Sequence, residues 1–289
     1  RAAAALHLDA AQNNVFRAVN RAWDEGATVR FVPGSPAEEA EQAGSSGRYV
    51  ITGLSGDARQ RLVRDLAIQA RGGGDDGARL ERPRIGVYRP WTASIDVGWT
   101  RWLLETYGFD FTSLRNADVL AGNLRERYDV IVLADLRTSQ ILEGYEVGEI
   151  PPRYTGGIGR QGVREIDAFV RAGGTLVTLN GSSNFAIDEL HLPVRDVSGD
   201  FDRDAFFLNG AILELLVDPS HPVMSGMPER GGVMIGRSPV FTTEEGFEGR
   251  VMARYDDEGP LLMSGYLLGA EMLHGYAAAV DVRHGQGRV

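Results

Sequence analysis

Apolar positions along the chain keep two rhythms, and the change between them divides it. Over Asp9–Trp23, Val15, Phe16, Val19 and Trp23 recur at helical spacing, and Gly26 follows as a stop. Thr28–Val32 and Arg48–Thr52 are short β-branched runs that predict strands, with a polar loop over Pro33–Gly47 between them. A second helix is expected over Gly56–Ala70, where Leu62, Leu66 and Ile68 supply the apolar positions. Residues 1–71 therefore read as a small α/β unit. Gly72-Gly73-Gly74-Asp75-Asp76-Gly77 breaks the pattern, and 72–83 reads as a Gly/Asp-rich linker. No Lys-Ser/Thr follows this run and it precedes a strand, which argues against a phosphate cradle.

From residue 84 the pattern alternates. Arg84–Tyr88, Phe109–Leu114, Asp129–Ala134 and Thr175–Leu179 predict strands. Ile95–Tyr107, Leu120–Glu126 and Arg160–Ala172 predict the intervening helices, with a polar insertion over Asp135–Gly159. In the first of these helices Val97, Trp99 or Trp102, Leu103 and Leu104 are the expected inward residues. Val163, Ile166, Phe169 and Val170 mark one side of the third. Such alternation implies βαβ units and a mostly parallel sheet, with Asp129–Ala134 apolar enough to be covered on both faces. After Asn184 the rhythm becomes β-rich. A short helix over Phe185–Leu190 and a loop over His191–Asp204 precede a buried strand or helix over Phe206–Leu216. Strands are then expected at Val240–Thr242, Arg250–Tyr255, Leu261–Ser264 and Ala277–Val282. Residues 84–289 thus form a second domain with a β-rich C-terminal extension.

Composition narrows the function classes. The 289 residues carry a formal net charge of −10 and no Lys/Arg run, which argues against nucleic acid as a partner. No apolar run is long enough to span a bilayer as a helix. The absence of cysteine removes disulfides, thiolate nucleophiles and Cys-based zinc sites. The opening at Arg1 and the closing Gly285–Val289 read as those of a piece of a larger protein.

Chemistry is expected at the carboxyl ends of the parallel strands, where ligands of open α/β sheets sit. The turn after Thr175–Leu179 reads Asn180-Gly181-Ser182-Ser183-Asn184, which departs from the Gly-x-Ser-x-Gly elbow. Ser182 or Ser183 with His274 or His221 as base would make a hydrolase; small residues filling a tight turn explain the same string. Arg89-Pro90-Trp91 ends the first strand at the sheet edge that also carries Asp135 and Asn180. Arg89, Trp91, Asp135, Asn180 and Ser182 are the candidate ligand-binding residues; an Arg89–Asp135 pair closing the sheet edge is the other reading. Gly156-Gly157-Ile158-Gly159 opens a helix and reads as an anion site or a hinge. His7, His191, His221, His274 and His284 form no zinc-ligand spacing, and Asp200, Asp202 and Asp204 lack the remainder of a calcium loop, so no metal is assigned to this chain.

Several blocks carry a family resemblance. They are Asn13–Arg21, Arg84-Ile85-Gly86-Val87-Tyr88-Arg89-Pro90-Trp91, Asp96-x-Gly98-Trp99-Thr100-Arg101-Trp102, Asp218-Pro219-Ser220-His221-Pro222 and Gly265–Gly269. Together they resemble the region that follows the catalytic domain in large bacterial zinc carboxypeptidase-like (carboxypeptidase A-like) metallopeptidases. The resemblance implies a flavodoxin-like, class I glutamine amidotransferase-like parallel sheet with helices on both faces. It also implies a periplasmic or secreted parent, with zinc and its His-x-x-Glu ligands in a peptidase domain before Arg1. The amidotransferase nucleophile would be a Cys at the elbow, which this chain lacks. On this reading the chain is a non-catalytic accessory region. Its partners would be its own N-terminal peptidase domain and a small-molecule or peptide ligand. A serine-dependent hydrolase and a small-molecule sensor are the alternatives.

Overall fold

The computed structural model describes residues 5–34, 47–236 and 238–289. Most of the loop expected over Pro33–Gly47, residues 35–46, lies outside them. The chain forms two compact units: Arg1–Arg82 with Leu104–Phe109 and Leu216–Gly231, and Pro83–Leu103 with Asp110–Leu215 and Gly232–Val289.

The first unit contains β1 (Ala5–Asp9), α1 (Val15–Asp24), β2 (Thr28–Val32), β3 (Arg48–Thr52), α2 (Gly56–Leu66), β4 (Arg71–Gly73) and β5 (Ala78–Leu80). Its antiparallel sheet runs β4-β1-β3-β2-β5. Val15, Ala18, Val19 and Ala22 of α1 and Ala58, Leu62 and Leu66 of α2 are buried with Leu8, Val29 and Ile51 of the sheet. The Ser55 hydroxyl accepts the Ala58 N–H at 3.1 Å and starts α2. Two expectations change. Residues 9–14 are not helical, and the Ala/Leu-rich stretch before them is β1, where sheet pairing overrides helix propensity. Residues 72–83 hold strand pairing at both ends, since β4 pairs with β1 and β5 with β2. Gly73 lies under the His7 imidazole, where an added Cβ would stand 2.3 Å from the ring. Asp75 pairs with Arg30 at 2.7 Å, and Asp76 pairs with Arg48.

The second unit opens with β6 (Ile85–Tyr88), α3 (Ile95–Thr106), β7 (Phe111–Leu114), α4 (Asn116–Leu120), α5 (Leu124–Arg127), β8 (Val130–Leu133), α6 (Thr138–Leu142), α7 (Gly159–Arg171), β9 (Thr175–Thr178) and α8 (Ser182–Leu190). The four strands pair in parallel in the spatial order β7-β6-β8-β9. Numbered from β6, that order is 2-1-3-4, the flavodoxin-type winding. All four residues of β6 are buried, as a strand covered on both faces requires. Ile131, Leu133 and Leu176 share one core with Val119, Leu124, Ile141, Ile166, Phe169 and Phe185 of α4–α8. Helices flank the sheet on both faces, making this an α/β fold of the class expected.

The β-rich remainder is β10 (Val194–Asp196), β11 (Phe207–Leu208), β12 (Ala211–Val217), β13 (Arg230–Ile235), β14 (Phe241–Thr243), β15 (Gly249–Arg254), β16 (Leu262–Ser264), β17 (Leu267–Leu268), β18 (Ala277–His284) and β19 (Gly287–Arg288). β19 lies parallel to β9 and antiparallel to β18, so it fills the fifth place of the parallel series and joins it to the extension. Gly287 allows the approach: a Cβ there would stand 2.2 Å from the carbonyl oxygens of Gly174 and Val170.

Local departures have local causes. The helix expected over Leu120–Glu126 is two short helices, α4 and α5, broken at Gly122 and Asn123, both at positive φ. The polar insertion carries α6 and a 3-10 turn over Pro152–Tyr154, and β10 lies inside the expected loop His191–Asp204. The segment Phe206–Leu216 is strand. In α3 Val97 is buried, whereas Trp99, Trp102 and Leu103 are more than half exposed. At about 100° per residue, Val97 and Leu104 share one side of the helix and Ile95, Trp99, Trp102 and Leu103 the other. The helix is apolar on both sides, so periodicity alone could not choose the inner one.

At the opposite end of the sheet from the candidate site, Asp129 receives Arg84 in a two-point contact (2.9 and 3.0 Å) and Arg125 at 2.8 Å. The Arg84 hydrogen bonds hold the Asp129 carboxyl well below the usual carboxylate range. A depressed folded-state pKa stabilises the fold above the unfolded-state value of about 3.9 and is lost as pH falls below it. Asp129→Asn is expected to lower the melting temperature at neutral pH, with the gap to wild type starting to narrow below about pH 4 and narrowing further as the pH falls. Melting curves across that range check it, and a gap that stays constant counts against it.

Candidate functional site

Three loops meet at the carboxyl ends of β6, β8 and β9, and backbone-directed hydrogen bonds stitch them together. The Ser94 hydroxyl accepts the Val97 N–H (3.3 Å) at the start of α3 and donates to the Asp135 carbonyl (3.1 Å). The Asp135 carboxylate accepts the Gly181 N–H at 2.9 Å. A Cβ on Gly181 would stand 2.9 Å from that same oxygen, so glycine is what allows the contact. Ser182 is fully buried; its hydroxyl donates to the Ala134 carbonyl and accepts the Leu136 N–H at 3.1 Å.

The turn itself is sharp. Asn180 takes the left-handed conformation, with φ +50°, at the apex between β9 and α8. Asparagine tolerates that region better than most residues. It stands exposed at the tip, where an elbow enzyme would present its nucleophile, and a carboxamide is no nucleophile. Ser183 lies one turn deeper and accepts from the Thr178 hydroxyl at 3.3 Å. Among the described residues no hydrogen bond joins either serine to a histidine. His274 instead contacts the Gly259 carbonyl (3.2 Å), and the His221 Nδ1 accepts the Val223 N–H at 3.2 Å. The serine–histidine hydrogen bond that the hydrolase alternative calls for is absent among the described residues.

Beside the turn lies a stack of rings and cations. The Arg115 guanidinium sits 3.9 Å over the Trp91 ring, and Trp91 meets Tyr154 edge to face at 4.6 Å. Arg153 lies 4.5 Å over Tyr154. Arg115 Nη1 donates to the carbonyls of Arg89 and Pro90, both at 3.0 Å, which fixes the Arg-Pro-Trp segment. Burial, then the charges of Arg89 and Arg101, push the Arg115 pKa down. Below the stack, the buried Tyr88 hydroxyl donates to Asn116 at 2.8 Å, and Asn116 donates to the Gly156 carbonyl at 2.8 Å. Burial pushes the Tyr88 phenol well above its ordinary pKa, so it stays a neutral donor.

The structure therefore gathers Asp135, Asn180 and Ser182 at one turn, and Arg89 and Trp91 at the neighbouring strand end. Among the described residues no ion pair joins Arg89 to Asp135, whose carboxylate instead accepts the Gly181 N–H. In Gly156–Gly159, the Gly156 and Ile158 N–H groups donate to the Tyr145 and Ile141 carbonyls at 2.8 and 2.9 Å. Arg115, Asn116, Arg153 and Tyr154 were missed from sequence. Arg115 follows β7 as Arg89 follows β6, so the same strand-end rule would have reached it.

A zinc fit is poor. His7 contacts the Gly74 carbonyl, His284 pairs with Asp167 at 2.6 Å, and His191 caps α8 in a left-handed conformation. Among the described residues no group of three or more His, Asp or Glu side chains is arranged to hold a metal ion. In the acidic loop Asp200 pairs with Arg195, and Asp202 accepts the Asp204 N–H at 3.0 Å. No helix among the described residues is long and apolar enough to cross a membrane.

No protein-family model matches the chain, and no curated protein matches it. Solved structures that match the chain include a GMP synthase component from Thermoplasma acidophilum, at 12% identity, TM-score 0.40, covering 71% of this chain and 87% of that one. A glutamine amidotransferase of Thermotoga maritima shows 10% identity and TM-score 0.39 over 72% of this chain and 74% of its own. A ThuA-like protein of Bacteroides uniformis shows 11% identity and TM-score 0.36 over 75% and 87%. These likenesses concern fold alone. The flavodoxin-type winding of the sheet is carried by its own strand order.

Ser182→Ala is expected to cost about 1–3 kcal/mol, because it strands a buried carbonyl and a buried N–H. Asn180→Gly is expected to be neutral or stabilising by up to about 1 kcal/mol, since glycine accepts positive φ without strain. Denaturant unfolding of both variants checks the pair; a Ser182→Ala protein of wild-type stability would contradict the stitching role.

Proposed function

We propose that this chain is a non-catalytic ligand-binding region that works as an accessory to an exported zinc carboxypeptidase-like protein. The observation that carries the non-catalytic part is the use of the turn. Ser182 is consumed in joining two loops, Asn180 occupies the exposed tip, and among the described residues no histidine bonds to Ser182 or Ser183. What remains open at the strand ends is a recognition surface built from Arg89, Trp91, Arg115 and Tyr154, suited to binding rather than bond cleavage. The carboxypeptidase parent rests on the sequence blocks around Asn13–Arg21, Arg84–Trp91 and Asp218–Pro222. Zinc would be bound by the parent's preceding domain, through residues outside this chain. There a zinc-bound water would attack the scissile carbonyl, with a glutamate as base.

The hydrolase alternative depends on Ser183, the serine whose hydroxyl is not locked between two backbone groups. The test compares zinc content and carboxypeptidase and esterase activity for this chain and for a longer protein that includes the preceding segment. The expected outcome is zinc and carboxypeptidase activity in the longer protein only. Ester hydrolysis by this chain that disappears in Ser183→Ala would replace the accessory reading with the hydrolase one.

A further inference from the structure

The chain is acidic overall, and all thirty of its basic residues are arginine. In the second unit many of these meet a carboxylate: Arg84 and Arg125 meet Asp129, Arg160 meets Glu189, Arg195 meets Asp200, and Arg288 meets Asp281. The strand-end stack is different. Among the described residues Arg89, Arg115 and Arg153 form no ion pair, although the chain has ten more acidic than basic residues, 40 against 30. The Arg115 guanidinium bonds to two carbonyls and lies over the Trp91 face, and the nearby Asp118 carboxylate, which accepts the Arg115 backbone N–H at 2.7 Å, offsets its charge in part. Among the described residues Arg153 makes only its contact with Tyr154. The Arg89 guanidinium is exposed, and its own backbone carbonyl is one of the groups that hold Arg115 beside it.

Like charges gathered without an ion pair oppose folding, and at Arg115 burial and the charges of Arg89 and Arg101 outweigh the attraction of Asp118. The stack also pre-orients the cations. Rings hold two guanidinium planes and two backbone carbonyls hold Arg115 Nη1, so little side-chain freedom is left to lose when an oxyanion arrives. Guanidinium forks match the paired oxygens of carboxylate and phosphate.

We infer that the carboxyl ends of β6 and β7 form an oxyanion subsite, in which Arg89, Arg115 and Arg153, ordered by Trp91 and Tyr154, take the carboxylate or phosphate group of a small ligand. This rests on the ligand-binding reading above and names the chemical class that the site selects. The surrounding loops are anchored by Ser94, Asp135 and Ser182, so the subsite is in place before the ligand binds.

The test follows the Trp91 indole N–H resonance, assigned with Trp91→Phe, while this chain is titrated separately with inorganic phosphate, succinate and a neutral sugar. Phosphate or succinate is expected to shift the resonance saturably, and whichever binds more tightly identifies the group. Arg89→Gln and Arg153→Gln remove side chains with no hydrogen bond among the described residues, so both should stay folded. Each is expected to weaken binding by about tenfold. Arg203→Gln, on an exposed loop, should leave binding unchanged. No saturable shift with either anion overturns the inference, as does equal weakening by Arg203→Gln. A shift with the neutral sugar alone overturns the anion class and leaves ligand binding standing.

Discussion

One buried hydroxyl holds the business end of the second unit together. Ser182 spans the loop after β8, using the carbonyl of Ala134 and the N–H of Leu136. Asp135, between those residues, reaches back to Gly181. The two loops therefore clasp each other through adjacent residues, and α8 starts from the clasp. A hydroxyl with no solvent access and both hydrogen-bonding roles filled is poorly placed to attack a substrate. The feature that makes the turn look like an enzyme's is the one that fixes its geometry.

Rigidity at this edge has an electrostatic counterpart. A tryptophan face offers a guanidinium a favourable quadrupole without neutralising it, so Arg115 is held firmly and keeps its charge. Tyr154 does the same for Arg153. Salt bridges would have anchored these side chains equally well but would have cancelled the local field. The Tyr88–Asn116–Gly156 chain beneath is neutral throughout, so it supports the stack without supplying a counter-ion.

How much of this was legible in the sequence depends on how local each signal is. β6, β8 and β9 are short apolar runs bounded by turns, and their parallel pairing follows from the helices between them. β1 hid in an Ala/Leu-rich stretch, and β13 contains two glycines; both are strands because neighbours pair with them. The Gly72–Gly77 run looked like a tether because the His7 ring that demands Gly73 lies far away in sequence. At the site, Arg89, Trp91, Asp135 and Asn180 were reachable because strand ends are predictable places. Their roles were not, since Asp135 serves a backbone amide and Ser182 two others, which only the folded chain brings within range. Tyr154 came from a polar insertion that gave no periodic signal at all.

The position of β19 bears on the order of events during synthesis. β6 to β9 emerge from the ribosome in sequence and can zip side by side as each arrives. The neighbour of β9 on its other side is not the next strand made; it is Gly287–Arg288, held between β9 and β18. Until that segment appears, β9 is an open sheet edge, although Val194 of β10 can already pack on the same core as α8. A nascent chain of this design has a long interval in which a half-built sheet must avoid pairing with another copy. Chaperone dependence during translation, rather than fragility of the finished protein, is where that topology would be felt.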